Sequence, residues 1–137
     1  MDTPAAERLN EAVQGFDRLY GLRFLSCSDT EVRAQVTVRE ELKQAVGLVH
    51  GGVYASMAES MASIATALEV RERGETAMGL SNSTSFLRPV TEGVVRRAGA
   101  VANGVLGNVE LVRDFGVALA LAHQQQQYRA LIGGEVV

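Results

Sequence analysis

One acidic residue lies alone in a long stretch of this sequence that has no other charges. Glu59 is the only side chain with a full charge between Lys43 and Glu69. A helix over this stretch would be buried nearly all round, and burying a lone carboxylate is costly. A solvated helix face is the ordinary alternative for a glutamate, but such a face would carry several charges. We therefore expect Glu59 to act as a nucleophile or general base.

A His-Gly-Gly motif, His50 to Gly52, marks the start of the predicted helix. The amides of a first helical turn have no intrahelical partner and lie at the positive end of the helix dipole. They can therefore hydrogen-bond a carbonyl oxygen that becomes an oxyanion. Glycine at Gly51 and Gly52 lets a reacting group come close. Taken alone, the motif is also typical of a tight turn capped by His50.

The spacing between the motif and the acid limits how they can cooperate. Gly51 and Glu59 are eight residues apart, which is about 12 Å along a helix. A carbonyl under attack must lie within about 3 Å of both its amide donor and the attacking group. If both residues are catalytic, Gly51 of one subunit must face Glu59 of another across a two-fold interface.

The segments around this helix alternate between helical and extended patterns. An amphipathic lead helix is predicted from Thr3-Pro4 to Gly21, with apolar residues at helical spacing, namely Leu9, Ala12, Val13, Phe16 and Leu19. The long helix is predicted from Gly51 to Arg71. Strands are predicted at 22–27, 32–38, 76–86, 94–102, 109–113 and 117–122, with a loop at 102–108. Residues 117–132 are also compatible with a helix. The order indicates an α+β fold, with an antiparallel sheet wrapped around one long central helix after a short N-terminal helix.

The long helix has two different faces when its residues are placed at steps of about 100°. Large residues on one face are expected to fill the concave side of the sheet: Val53, Tyr54, Met57, Met61, Ile64 and Leu68. Small residues on the other face permit close approach of a second backbone or a ligand: Ala55, Ser56, Ala58, Ser60, Ala62, Ser63, Thr66 and Ala67. Glu59 lies in the middle of the small face, with Ser63 beside it one turn further on.

Length and composition narrow the class of protein. A chain of 137 residues forms one domain, and its net charge of -3 with scattered basic residues disfavours nucleic-acid binding. No apolar run approaches the roughly 20 residues that span a bilayer. The single cysteine, Cys27, is expected in the core. These features indicate a cytoplasmic protein without a membrane partner.

Two quoted stretches resemble a known family. The run "GLVHGGVYASMAESMAS", followed by "GLSNSTSFLRPVTEG", resembles the hotdog-fold acyl-CoA thioesterases. It is most similar to their PaaI-like branch, which contains the Arthrobacter-type 4-hydroxybenzoyl-CoA thioesterase and the 1,4-dihydroxy-2-naphthoyl-CoA thioesterase. The resemblance covers residues 20–97 of a single domain spanning 1–137. It implies hydrolysis of an acyl-CoA thioester with an aryl or small acyl group.

The resemblance also implies catalytic roles for individual residues. Glu59 would attack the thioester carbonyl or activate water, and the Gly51 N–H would polarise that carbonyl. Gln44 would orient the thioester, His50 would brace the site, and Ser63 would position the water or intermediate.

Substrate binding and assembly are implied in the same way. Arg88 would contact phosphate groups of coenzyme A, a role that suits a guanidinium. Gly52 would leave room for the thioester, and Tyr54 would line the acyl pocket or pack in the core. No metal and no cofactor is implied, since coenzyme A is part of the substrate. The expected assembly is a homodimer or a dimer of dimers (a homotetramer), with each site shared by two chains.

Residues 98–137 depart from the family's pattern. The family's "GRxT" or "GSxT" loop is replaced by "ANGVLGN", and the ending "HQQQQYRALIGGEVV" is atypical. This departure motivates an alternative, a non-catalytic hotdog protein that binds an acyl-CoA or another ligand. An acyl-CoA hydratase on the same fold is a third reading, disfavoured because no second acid or histidine stands at hydratase spacing and His123 is more simply incidental.

Overall fold

The computed structural model describes residues 3–71, 74, 76–79, 82, 84–86, 88–102, 105–113, 120–122 and 128–131. The helices are α1 (Thr3–Ala12), α2 (Gly15–Tyr20) and α3 (Gly51–Arg71), and a 3-10 turn covers Glu40–Leu42. The strands are β1 (Arg23–Cys27), β2 (Glu31–Thr37), β3 (Thr76–Gly79), β4 (Val94–Ala102), β5 (Val105–Arg113), β6 (Ala120–Ala122) and β7 (Tyr128–Leu131).

Two antiparallel sheets are formed by the described strands. The larger has the order β1-β2-β4-β5-β6, so β2 lies between β1 and β4 although α3 and β3 intervene in the chain. The smaller pairs β3 with β7. The large sheet and the long helix confirm the α+β hotdog architecture predicted from the sequence.

Helix α3 begins and ends where the sequence indicates. Alanine, the best helix former, recurs through it, and no proline interrupts its 21 residues. After Arg71 the chain turns at Gly74, whose φ of +69° suits glycine and whose N–H donates to Arg71 O at 3.0 Å.

The core lies between α3 and the concave face of the large sheet. Burial alternates along β2, where Val32, Ala34 and Val36 are almost wholly buried, as the alternating pattern predicts. Met57 and Met61 of α3 are completely buried against this sheet. Burying each of these methionines stabilises the fold by about 1.5–3 kcal/mol.

The predicted division of α3 into a large and a small face needs a correction. Ala58, Ala62 and Thr66 were assigned to the small outer face but are buried, while Leu68 is 44% exposed. The large sheet therefore covers a wider arc of α3 than the face formed by the large side chains. The partly exposed stripe that remains is narrower, and it consists of Ala55, Ser56, Glu59, Ser60, Ser63, Ile64 and Ala67.

The single lead helix predicted from Thr3 to Gly21 is wrong. The helix breaks at residues 13–14, and Gly15 starts α2 with a φ of +56°. The break turns Phe16 and Leu19 away from the core, so that they are 64% and 69% exposed. Apolar residues keep helical spacing across the break, so the sequence pattern predicts one helix where the structure has two.

Two predictions for the second half of the chain also differ from the structure. The strand predicted at 76–86 is regular only in β3, and the described residues 82 and 84–86 are not in a strand. The loop predicted at 102–108 is wrong for residues 105–108, which lie in β5, where Val105 pairs with Ala102 of β4. The strand predicted at 117–122 is confirmed over Ala120–Ala122, and Tyr128–Leu131 form β7 rather than the alternative helix, while residues 117–119 and 123–127 lie outside the described residues.

None of the described helices is long and apolar enough to cross a membrane. Over the same described ranges, the His, Cys, Asp and Glu side chains form no group of three that could hold a metal ion. Cys27 is buried in the core, as expected.

Candidate active site

His50 caps the first turn of α3. Its Nδ1 accepts a hydrogen bond from Gly52 N–H at 2.9 Å, and its carbonyl accepts one from Val53 N–H at 3.0 Å. The cap satisfies amides that have no partner within the helix. Within the part of the chain that the structure describes, Gly51 N–H has no acceptor. Gly51 therefore offers an amide donor at the positive end of the helix dipole.

The loop before α3 folds back and brings Gln44 beside the helix start. Lys43 and Val49 form an isolated antiparallel bridge, and Gln44 N–H donates to Leu48 O at 2.8 Å. Gly47 closes this turn with a φ of +80°, a conformation that glycine adopts without strain. The five residues between Gln44 and the histidine cap are therefore taken up by one tight turn.

A cavity of about 280 Å³ lies against this turn, and we call it the first cavity. Four residues predicted from the sequence line it together: Gln44, Gly51, Tyr54 and Arg88. Three of them come from different parts of the chain, which shows that the fold gathers these predicted residues at the start of α3. Their chemical roles are a separate question.

Phe86 closes one side of the first cavity and was not predicted as a site residue. Its ring lies 5.7 Å from that of Tyr54, tilted by 42°. A Cβ atom at Gly51 would lie 2.8 Å from the Phe86 ring, closer than real Cβ atoms approach. A side chain at this position of the helix would therefore have to displace the exposed Phe86 ring. The only sequence signal for Phe86 is its place in the "SFLRP" motif.

Glu59 is partly buried, and its two carboxylate oxygens are held by different side chains. Ser63 Oγ donates to Oε1 at 3.2 Å, as the spacing of one turn predicts, and Asn82 Nδ2 lies 3.4 Å from Oε2. The same Asn82 amide donates to Ala55 O at 2.9 Å, and Thr84 Oγ1 donates to Asn82 Oδ1 at 2.8 Å. Asn82 and Thr84 were missed, because neither is placed near α3 by local spacing.

Gly51 and Glu59 do not meet within the chain. Both lie on α3, eight residues apart, which separates them by about 12 Å. Glu59 and Ser63 do not line the first cavity, whereas His50 and Gly52 line a second cavity beside the same helix start. The amide donor at Gly51 and the carboxylate of Glu59 thus lie at two separate places on α3.

A buried arginine lies beneath the site and was not singled out from the sequence. Arg97 of β4 is 2% exposed, and its Nη1 donates to Tyr54 O, while its Nε has no partner within the described part of the chain. Burial lowers the pKa of Arg97 to about 10, an effect that the Tyr54 side chain opposes. The guanidinium therefore stays protonated at neutral pH and fixes the backbone of the second helical turn.

Helix α2 is attached to α3 by a cluster of three polar side chains. Tyr20 Oη donates to Asp17 Oδ1 at 2.9 Å and lies 3.2 Å from Ser60 Oγ, which itself donates to Asp17 Oδ1 at 2.5 Å. Burial raises the pKa of Tyr20 well above its usual value, and the Ser60 hydrogen bond opposes this shift while Asp17 adds to it. The phenol is therefore neutral throughout the physiological range.

Comparison with known proteins places this chain in a family. The family model "Thioesterase superfamily" matches residues 46–103, which include the start of α3, Glu59 and Arg88. The chain is 42% identical over 96 residues to a Mycobacterium tuberculosis protein named as an esterase, an alignment that spans 69% of this chain and 66% of that one. It is 34% identical over 76 residues to a proofreading thioesterase of Cronobacter turicensis, covering 56% of this chain and 55% of the relative.

Solved structures give the same result. A variant of thioesterase PA1618 from Pseudomonas aeruginosa superposes with a TM-score of 0.79 at 27% identity, covering 94% of this chain and 96% of that one. In a sequence alignment the same Pseudomonas protein is 33% identical over 114 residues, which is 82% of this chain and 77% of the relative. A thioesterase of Haemophilus influenzae gives a TM-score of 0.78 at 25% identity, covering 92% and 90%. This chain therefore belongs to the thioesterase superfamily and has its hotdog fold.

Proposed function

We propose that the protein hydrolyses acyl-CoA thioesters with an aryl or small acyl group to the free acid and coenzyme A. The observation that carries this proposal is the pairing on α3 of an amide donor at Gly51 with a carboxylate, Glu59, held two turns further on. Family membership supports thioester hydrolysis in general. The proposed assembly is a cytoplasmic homodimer or dimer of dimers.

The first cavity supplies the groups that would bind the thioester. The Gly51 N–H would hydrogen-bond the thioester carbonyl, and such a donor contributes about 2.7–4 kcal/mol to transition-state stabilisation. Gln44 would orient the thioester, and Arg88 would contact the phosphate groups of coenzyme A. Tyr54 and Phe86 would form the wall of the channel between them.

Glu59 of a second copy would supply the attack. As a nucleophile, its carboxylate oxygen would form a bond to the carbonyl carbon while the carbon-sulfur bond breaks, and water would then hydrolyse the resulting anhydride. As a general base, it would take a proton from water, whose oxygen forms that bond instead. In both routes the thiolate of coenzyme A leaves and takes up a proton. Neither route needs a metal or a cofactor.

Replacing Glu59 by Gln provides the test. The variant keeps the size and the hydrogen-bonding capacity of the side chain but can neither attack nor accept a proton. We expect thiol release from benzoyl-CoA and short acyl-CoA substrates to fall by at least about a thousandfold, a typical loss when an attacking group is removed. Binding of the substrate, measured by calorimetry, should remain within about threefold.

A matched control is Glu92→Gln, which makes the same chemical change at an exposed position in the turn before β4. It should release thiol at the wild-type rate. An unchanged kcat in Glu59→Gln would refute the role of Glu59. Binding of acyl-CoA by the wild-type protein without any thiol release over the panel would instead identify a binding protein.

A further inference from the structure

A charged side chain is buried on the sheet side of α3, behind the residues that line the first cavity. Arg97 of β4 is 2% exposed, and it is the only charged residue that is buried in the part of the chain that the structure describes. Its Nη1 donates to the carbonyl oxygen of Tyr54. Its Nε is also buried and has no hydrogen-bond partner among the described residues. The reaction proposed above does not use this arginine.

The stability of the fold does not account for an arginine at this position. Burying a charge is costly unless an opposite charge accompanies it. The residues that pair with Arg97 on the neighbouring strands are Ala34 and Leu111, and no carboxylate of the described residues forms an ion pair with it. Replacing such a buried charge by an apolar residue of similar volume is often neutral or stabilising. Arg97 is therefore a candidate for a role in the reaction.

The guanidinium of Arg97 is charged at neutral pH. Burial lowers the pKa of Arg97 to about 10, and the Tyr54 side chain opposes this shift. Because the surroundings exclude water, the field of this charge is screened less than that of an exposed arginine.

The position of this charge relates it to the amide donor at Gly51. Tyr54 follows Gly51 by three residues on α3, which is about 4.5 Å along the helix axis. Adding the lengths of a carbonyl group and of a hydrogen bond places the guanidinium within roughly 10 Å of the Gly51 N–H. Tyr54 and Gly51 both line the first cavity, where the thioester would lie. The cation would thus lie beneath the place where the carbonyl oxygen becomes negative.

We propose that Arg97 is a positioning residue for thioester hydrolysis. Through its contact with Tyr54 it holds a buried positive charge beneath the Gly51 amide, and this charge stabilises the negative charge that develops on the thioester oxygen. The inference rests on the proposed function, because it concerns the same thioester. Since the carbonyl oxygen is more negative in the transition state than in the bound substrate, Arg97 should act on kcat more than on KM.

The test compares two substitutions of Arg97 with one at its neighbour in the chain. Arg97→Met removes the charge and keeps an unbranched side chain, whereas Arg97→Lys keeps a positive charge. Arg96→Met is the matched control, since Arg96 lies on the same strand and donates to Gln35 of β2. Thiol release from benzoyl-CoA gives kcat and KM, and urea unfolding establishes that each variant folds.

We expect Arg97→Met to lower kcat by about tenfold and to change KM by less than about twofold. Its urea midpoint should be unchanged or higher, because a buried charge has been replaced by an apolar side chain. Arg97→Lys should stay within about threefold of the wild-type kcat at pH 7. Arg96→Met should match the wild type in both constants.

A pH profile separates the charge of the side chain from its shape. Burial lowers the pKa of a lysine, so the kcat of Arg97→Lys should fall at a lower alkaline pH than the wild-type kcat. Arg97→Met has no group at this position that could lose a proton, and it should lack this fall. Among the described residues, the titratable side chain that acts on Arg97 is that of Tyr54, and it is present in all of these proteins.

A ketone that cannot be hydrolysed gives a second measurement, which does not depend on turnover. S-phenacyl-CoA carries its carbonyl next to the position of the thioester carbonyl. Binding to the Gly51 N–H above a positive charge should polarise this carbonyl and shift its infrared stretching band to lower frequency. The shift should be smaller in Arg97→Met and should be restored in Arg97→Lys.

The two measurements distinguish failure of this inference from failure of the proposed function. Wild-type kcat and an unchanged ketone band in Arg97→Met would overturn the role of Arg97 and leave the hydrolysis intact. A lower kcat with a lower urea midpoint, not restored by lysine, would also overturn it, because the role would then be structural. The expected band shifts without thiol release from any acyl-CoA would reject the hydrolysis and support the polarising charge. A wild-type protein that does not bind the ketone would overturn both.

Discussion

At the scale of single residues, the start of α3 is organised so that one amide remains available. His50 uses the Gly52 N–H for its cap, and Gly51, lying next to it, has no acceptor within the described residues. A side chain added at Gly51 would displace the exposed Phe86 ring. Comparing a variant that lacks the N–H at residue 51 with one that only adds a Cβ there should separate the chemical contribution of the amide from the steric effect of the side chain.

Gly51→Pro deletes that N–H at the first position of a helix, where proline is well tolerated. Gly51→Ala is the matched control, since its Cβ crowds Phe86 in the same way but leaves the N–H in place. We expect Gly51→Pro to have a kcat about 10²–10³-fold below that of Gly51→Ala. Circular dichroism should show α3 intact in both. Equal kcat values would mean that the thioester is polarised elsewhere.

The amide of Asn82 is a positioning group for Glu59, because it joins the carboxylate to the Ala55 carbonyl of α3. We expect Asn82→Ala to lower kcat by about tenfold, the value of one hydrogen bond to a charged group, with KM nearly unchanged. Thr84→Val, which removes the group that orients the amide, should have a smaller effect in the same direction.

A pH profile distinguishes this role from a structural one. Asn82→Asp places a second carboxylate next to Glu59, and two acids at this distance hold a proton between them. The acidic limb of the kcat profile should therefore move to higher pH in Asn82→Asp and stay in place in Asn82→Ala. Identical profiles for wild type and Asn82→Asp would contradict the contact.

At the scale of elements, α2 connects the N-terminal segment to α3 through the Asp17–Tyr20–Ser60 cluster. The folded protein keeps the Tyr20 phenol proton at pH values where the unfolded chain, with a pKa near 10, loses it. The stability that this proton provides is therefore present below about pH 10 and is lost as the pH rises further.

We expect Tyr20→Phe to lower the free energy of unfolding by about 1 kcal/mol at pH 7, through the lost hydrogen bonds. Between pH 9.5 and 11, the wild-type value should fall by about 1 kcal/mol relative to that of Tyr20→Phe. Ser60→Ala retains the phenol and should keep the alkaline fall. Urea unfolding at each pH measures all three. Parallel pH curves for wild type and Tyr20→Phe would show that the phenol does not titrate differently on folding.

The sequence predicted well those features that depend on contacts between residues close together in the chain, and predicted poorly those that depend on distant contacts. Helix α3, the alternation in β2 and the Glu59–Ser63 pair follow from spacing within one element. The break before Gly15, by contrast, falls inside a continuous amphipathic pattern. Asn82 reaches α3 through contacts 27 and 23 residues away in the chain, so periodicity could not place it. The burial of Arg97 likewise depends on how β4 packs beneath α3.

At the scale of the whole molecule, the chain presents two separated halves of the proposed site. Mixing two inactive variants provides a direct test of sharing. Glu59→Gln keeps an intact Gly51, and Gly51→Pro keeps an intact Glu59. If sites are shared between two chains, half of the randomly formed dimers are mixed, and each mixed dimer has one complete site of two. Unfolding and refolding the variants together should therefore recover about a quarter of the wild-type activity.

A site contained in one chain would recover no activity on mixing, whatever the oligomeric state. Refolding each variant alone under the same conditions controls for the handling of the protein. Glu92→Gln mixed with Glu59→Gln serves as a reference, since its dimers contain complete sites in known proportion. Light scattering of the mixture establishes that dimers or dimers of dimers have formed.

The eight-residue interval on α3 also fixes how many residues can separate Gly51 from Glu59, independently of which residues they are. One inserted residue between Gly51 and Glu59 would advance the acid by 1.5 Å and turn it by about 100°. The carboxylate would then take the position of Ser60, facing Asp17 of α2, and would lie next to another negative charge. A single insertion, harmless in a surface loop, would thus inactivate the acid and loosen the attachment of α2 at once.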